Sequence, residues 1–83
     1  MTLEGRVFND TNVDILDVRV TANGVGPEGG VLTTGITFIL LIPRHGSASF
    51  EAKVRSAEGV REFKLAVTSY REAEIERPFV QSP

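Results

Sequence analysis

Residues 16–22 read Leu-Asp-Val-Arg-Val-Thr-Ala, and this stretch decides the fold class. Leu16, Val18, Val20 and Ala22 occupy one parity; Asp17, Arg19 and Thr21 occupy the other. A period of two puts successive side chains on opposite faces of a strand, one face inward and one toward water. A helix would need apolar residues three and four apart, and that spacing is nearly absent from the chain.

The same alternation recurs on both sides of this segment. Leu3, Gly5 and Val7 alternate with Glu4 and Arg6. Phe50, Ala52 and Val54 alternate with Glu51, Lys53 and Arg55. Phe63, Leu65, Val67 and Ser69 alternate with Glu62, Lys64, Ala66 and Thr68. Val31 to Thr34 reads as a short strand ended by Gly35. Ile36 to Ile42 is apolar on both parities, which predicts a central strand covered on both faces. Phe38, Phe50 and Phe63 read as core.

Turn formers separate these segments. They are Asn9-Asp10-Thr11-Asn12, a long loop opening at Asn23-Gly24 and running through Pro27 and Gly29-Gly30, and Pro43 to Gly46. Ser56-Ala57-Glu58-Gly59 is a further loop, of hairpin length. Six or seven short strands at this spacing predict an all-β fold, an immunoglobulin-like antiparallel β-sandwich. A small β-barrel is the alternative. Residues 1–70 form the domain. Residues 71–83, rich in charge and containing Pro78, read as a tail or linker stub. Ala73 and Ile75 also continue the parity of Phe63 and Leu65, so an extended last strand that pairs with another chain is the second reading.

Composition narrows the function classes. The chain has 83 residues, enough for one small domain. A domain of that size buries about 60% of the surface its unfolded chain exposes, which leaves little room for an enclosed active site. Net charge is −2, and the nine Lys and Arg residues are scattered from Arg6 to Arg77. No stripe of them would track a phosphate backbone, so no nucleic-acid partner is expected. There are no cysteines, which excludes disulfides and thiolate chemistry. No basic segment followed by an apolar one marks a signal peptide at the start. The longest apolar run, Ile36 to Ile42, is too short for a membrane-spanning helix.

Four patterns invite a chemical reading. Arg44-His45-Gly46 resembles the string around the catalytic histidine of histidine phosphatases. Phosphohistidine chemistry needs further cationic groups and a second acid–base residue, and the chain has one histidine. The string is read as a turn, with Pro43 setting φ, Gly46 supplying backbone freedom and His45 exposed. Gly24-Val25-Gly26-Pro27-Glu28-Gly29 matches a dinucleotide fingerprint, but strand rather than helix is expected after it. Asp10, Asp14 and Asp17, near Asn9 and Asn12, are oxygen ligands of the kind calcium takes, without the EF-hand spacing. Ser47 and Ser49 lie near His45, but no third group orients a base toward them. No catalytic, cofactor-binding or metal residue is assigned, and no enzyme is expected.

"LEGRVFNDTNVDILDVRV" resembles the opening of FxLYD-type domains, small immunoglobulin-like modules of bacterial and archaeal proteins. The matching residues are Leu3, Gly5, Val7 and Asn9, then Val18 and Val20. "IPRHGSASFEAKV" is similar to their Pro-Gly-x-x-x-x-Phe segment, with Pro43, Gly46, Phe50 and Val54 in the corresponding places. Where that family has a Tyr-Asp segment before a glycine turn, this chain has Thr21-Ala22-Asn23-Gly24. The resemblance implies a non-catalytic accessory or interaction module of a larger extracytoplasmic bacterial protein, periplasmic or extracellular. Its partner would be a protein or a neighbouring domain, bound at sheet edges, at the 23–30 loop or at the 71–77 extension. A free-standing protein that forms a homodimer through an edge strand or the tail is the alternative, and a phosphate-handling enzyme at the Arg-His-Gly turn is the third.

Overall fold

The computed structural model describes residues 1–73, and within them the chain is all-β. Five strands form: β1 (Thr2–Phe8), β2 (Ile15–Val25), β3 (Val31–Ile42), β4 (Ser47–Lys53) and β5 (Glu62–Glu72). All pairings are antiparallel. β1 pairs with β4 in one sheet, and β3, β2 and β5 lie in that order in the other. Among the described residues five strands stand in place of the expected six or seven, and the sheets do not close into the alternative barrel.

β2 is the centre of the larger sheet, and its alternating apolar parity supplies most of the core. Val18, Val20 and Ala22 are buried, and the parity then changes at one point. Ile15 and Val18 are both buried although three residues apart, as are their cross-strand partners Ile42 and Ile39. An odd spacing would place such residues on opposite faces of a regular strand. Asp17, between them on β2, has φ +52°, and the ladder between β2 and β5 is irregular here. The distortion takes up one residue and returns both isoleucines to the inner face.

Side chains from both sheets fill the space between them. Ile15, Val18, Val20, Ile39 and Ile42 pack with Val7, Ala48 and Phe50. Ala22, Ala52 and Val54 pack with Leu3, Phe50 and Phe63. Phe50 on β4 belongs to both groups and joins them.

β3 departs furthest from expectation. Val31–Thr34 and Ile36–Ile42 are one strand, unbroken at Gly35. A Cβ at Gly35 would lie 2.5 Å from the Lys53 carbonyl oxygen and 2.8 Å from Val54 Cγ2. Gly35 is therefore required where β4 crosses close above β3, and it does not end the strand. Nor is β3 central. Among the described residues it is an edge strand, and its second apolar parity faces outward: Phe38 is 63% exposed and Leu40 78%. Phe38 is a surface residue, while Phe50 and Phe63 are half-buried against the core.

Two loops also differ from expectation. β2 continues through Asn23, Gly24 and Val25, so the long loop shrinks to a turn closed by Gly29 N–H to Gly26 O and Gly26 N–H to Gly30 O. Residues 54–61 do not form a hairpin. They cross from β4 in one sheet to β5 in the other, anchored by buried Val54 and by Arg61 N–H to Val25 O at 2.7 Å. Arg71 and Glu72, placed in the tail by the sequence, lie in β5 opposite Leu16 and Ile15. Ala73 N–H donates to Asp14 O at 2.9 Å, so the first residue of the expected continuation pairs within the chain; residues 74–83, including Ile75, lie outside the described residues.

Candidate functional site

The Arg44-His45-Gly46 string forms a four-residue turn closed by Gly46 N–H to Pro43 O at 2.9 Å. Pro43 is the first residue of this turn. The left-handed position, third in the turn, is taken by His45 at φ +57° and not by Gly46. Histidine is among the residues that enter this region more readily than most. Gly46 serves close packing, since a Cβ there would meet Pro43 Cγ at 2.8 Å. The His45 ring is exposed and donates from Nε2 to Asn12 Oδ1 at 2.6 Å. Ser47 Oγ instead accepts from Arg6 Nη1 at 2.8 Å. The histidine and the serine beside it in sequence thus have different partners.

Asn9 holds this end of the molecule together. It is a buried polar residue, 2% exposed. Its Nδ2 donates to the carbonyls of Val13, Ile42 and Pro43, and its Oδ1 accepts from Thr11 N–H and Thr11 Oγ1. Its own N–H reaches Gly46 O at 2.8 Å. The turn after β1 and the turn after β3 are thereby locked to one amide side chain. A buried polar group with its bonds satisfied rigidifies a site, whereas an unsatisfied one is costly.

The three aspartates do not gather. Asp14 Oδ1 accepts from Arg44 N–H at 2.8 Å and from Arg44 Nε at 3.3 Å. The backbone hydrogen bond from Arg44, and then its guanidinium, hold the Asp14 carboxyl below the ordinary range. Asp17 pairs with Arg71 at 2.7 Å on the outer face of the larger sheet. Among the described residues, no three His, Asp or Glu side chains come together to hold a metal ion. The glycine-rich 24–29 segment likewise joins two antiparallel strands and leads into no helix.

A concave surface with apolar lining lies elsewhere, between β1 and β5. A groove of about 540 Å³ runs between residues 4–8 of β1, which include Glu4 and Arg6, on one wall and Leu65, Ala66 and Val67 on the other, with Val20 and Phe50 below. It continues into a second hollow of about 360 Å³ lined by Val7, Phe8, Ile15, Val67 and Tyr70 together with the polar Asn9, Asp10, Thr11 and Glu72. Among the described residues each wall is a strand with one ladder partner: β1 pairs with β4 and β5 with β2. Leu65 and Val67 lie opposite Ala22 and Val20, so all four point to the inner face. Ala22 and Val20 are buried, whereas Leu65 and Val67 are half-exposed.

No family model, no curated protein and no solved structure matches the chain.

Parity shows that Leu65 and Val67 point inward. It cannot show that the smaller sheet stops at β1, because that depends on how many strands the other sheet contains. Asn9 had a local signal, as one of a run of turn formers, but its reach to Ile42 and Pro43 spans more than thirty residues. No helix of the described residues is long and apolar enough to cross a membrane.

Proposed function

We propose that this chain is a non-catalytic interaction module that takes an extended segment of a partner protein into the groove between β1 and β5. The observation that carries this reading is the groove itself, with Val20 and Phe50 below and the apolar side chains of Leu65 and Val67 along one wall, framed by two strand edges that each have one partner among the described residues. A strand added along either edge would form main-chain hydrogen bonds with it. Every second side chain of the added strand would point down onto the floor. Affinity then comes from the backbone ladder, and selectivity from the size of the alternate side chains that cover Leu65 and Val67.

The resemblance to FxLYD-type immunoglobulin-like modules supports the same reading, and with it a place in a larger extracytoplasmic bacterial protein. Several of the residues that carry the resemblance do connected structural work. Gly5 lies opposite Phe50, and a Cβ at Gly5 would come within 2.7 Å of Phe50 Cζ. Asn9 ties the end of β1 to the turn that holds Pro43 and Gly46. The engagement of His45 with Asn12 also favours binding over catalysis at the Arg-His-Gly turn.

The test is selection of binders from a displayed library of extended peptides, followed by measurement of their affinity for the wild-type chain and for Leu65→Lys. Leu65 is half-exposed, so the variant keeps its fold. Peptides with alternating apolar residues are expected to be enriched and to lose at least tenfold in affinity for Leu65→Lys. Peptides that bind both proteins equally would place binding elsewhere and reject this reading.

A further inference from the structure

A second surface, on the opposite flank of the larger sheet, suits a different partner. β3 is twelve residues long and carries no ionisable side chain: it reads Val-Leu-Thr-Thr-Gly-Ile-Thr-Phe-Ile-Leu-Leu-Ile. It is an edge strand, and Ile36, Phe38 and Leu40 project outward into solvent. Edge strands are normally guarded by lysine, proline or an inward-pointing charge, because an unpaired backbone row is a template for another strand. Within its twelve residues β3 has none of these guards.

We infer that β3 pairs antiparallel with β3 of a second copy of this chain, across a two-fold axis at Phe38, to give one six-stranded sheet. A two-fold axis normal to a sheet keeps each face on its own side, so outward residues of one copy meet outward residues of the other. With the axis at Phe38, that ring meets its mate, Ile36 meets Leu40 of the second copy, and Leu40 meets Ile36. Apolar and aromatic cross-strand pairs of this kind are the contacts that stabilise antiparallel ladders.

Charge selects a second copy at this edge over self-pairing at the other one. A neutral strand meets itself without repulsion. The nearest outward charge at the axis is Arg19, opposite Phe38 on β2. It would lie three strand spacings, about 14 Å, from its mate, beyond the screening length of about 8 Å at physiological salt. Asp17 and Arg71 on this face neutralise each other within one copy. β5, the other edge of the sheet, contains Glu62, Lys64, Arg71 and Glu72. Two-fold pairing along its full length would centre on Val67 and set Glu62 against Glu72 of the mate at both ends, which like-charge repulsion opposes.

The test uses the full chain. Its solution mass is measured by light scattering over a concentration series, alongside Phe38→Lys and Leu65→Lys. Phe38 is exposed, so its replacement leaves folding intact, as an unchanged thermal transition at low concentration would verify. The mass of the wild type is expected to rise from monomer to dimer, Phe38→Lys to stay monomeric throughout, and Leu65→Lys to dimerise like the wild type. Because the chain has no cysteine, Phe38→Cys gives a single thiol. Facing residues at such an axis have Cα atoms about 4.5–5.5 Å apart, within disulfide range. Oxidation of Phe38→Cys should therefore yield a covalent dimer. A wild type that stays monomeric at every concentration, or a dimer that survives Phe38→Lys, would overturn the inference. Loss of the dimer in Leu65→Lys alone would move the contact to the groove.

Discussion

Val20 and Val67 face each other across the β2–β5 ladder and point to the same side of the same sheet. Val20 is 2% exposed and Val67 44%. Their identity and parity are the same. They differ in that β2 is the central strand of the sheet and β5 an edge, and in the number of strands above them. Two strands face three, so the smaller sheet covers β2 and β3 and ends at β1, short of β5. Burial in a two-sheet protein is thus set by the opposing sheet as much as by alternation, and the uncovered flank becomes a groove with an apolar wall on the β5 side and Glu4 and Arg6 on the β1 side.

The covered flank should be the sensitive one. Ile42 is fully buried and packs with Ile15 and Val18. Ile42→Ala is expected to destabilise the domain by about 3 kcal/mol, from lost transfer energy and the cavity left behind. Urea unfolding measures this directly. A cost below about 1 kcal/mol would show that the two flanks do not differ as described.

Asn9→Ala comes next, with an expected loss of about 2 kcal/mol, because it strips the carbonyls of Val13, Ile42 and Pro43 of a shared donor. Hydrogen exchange sharpens the result. Gly46 N–H, Thr11 N–H and His45 N–H should lose protection together, while the amides shared by β2 and β5 keep theirs. Gly35→Ala should cost about 1–3 kcal/mol by forcing β4 away from β3. The loss of β3–β4 proximity should be visible as weakened cross-strand NMR contacts between Gly35 and Lys53.

The smallest effect concerns pH. Asp14 has a folded pKa below its ordinary value of 3.8. A lowered carboxylate pKa stabilises the fold above the unfolded value, and that contribution is lost as pH falls through the folded one. The Asp14–Arg44 contact should therefore be steady above about pH 4 and weaken below it. Carboxyl NMR titration of Asp14 should give a midpoint below the ordinary value in the wild type. Replacing Arg44 with Ala, which removes the side-chain bond but keeps the backbone one, should raise that midpoint only part of the way.

The sequence was informative where one local rule governed the outcome. Alternation over 18–22 identified the inward face of β2, because the central strand of a sheet is covered whatever lies at the edges; Leu16, expected on that face, lies beyond the Asp17 irregularity, where Ile15 takes the inner position. It misled for Ile36 to Ile42, where apolar residues on both parities have two possible causes. One is burial on both faces; the other is burial on one face and an apolar outer surface on the other. Gly35 posed the same ambiguity, since a glycine that ends a strand and one that admits a neighbouring backbone look alike in one dimension. Asp17 gave no warning of the irregularity that reverses parity at Ile15. The groove was not legible at all, because it is defined by a strand count and by the distance between β1 and β5. The role of Asn9 was hidden for a related reason, since its partners lie on another turn.

The most direct measurement compares Val20→Ala with Val67→Ala by denaturant unfolding, at a protein concentration low enough to keep the chain monomeric. Both changes remove the same two methyl groups from residues that face each other in one ladder. Val20→Ala is expected to cost about 2 kcal/mol, and Val67→Ala less than about 1 kcal/mol. Equal costs near 2 kcal/mol would mean that β5 is covered in solution, and the open groove with the binding role assigned to it would be contradicted.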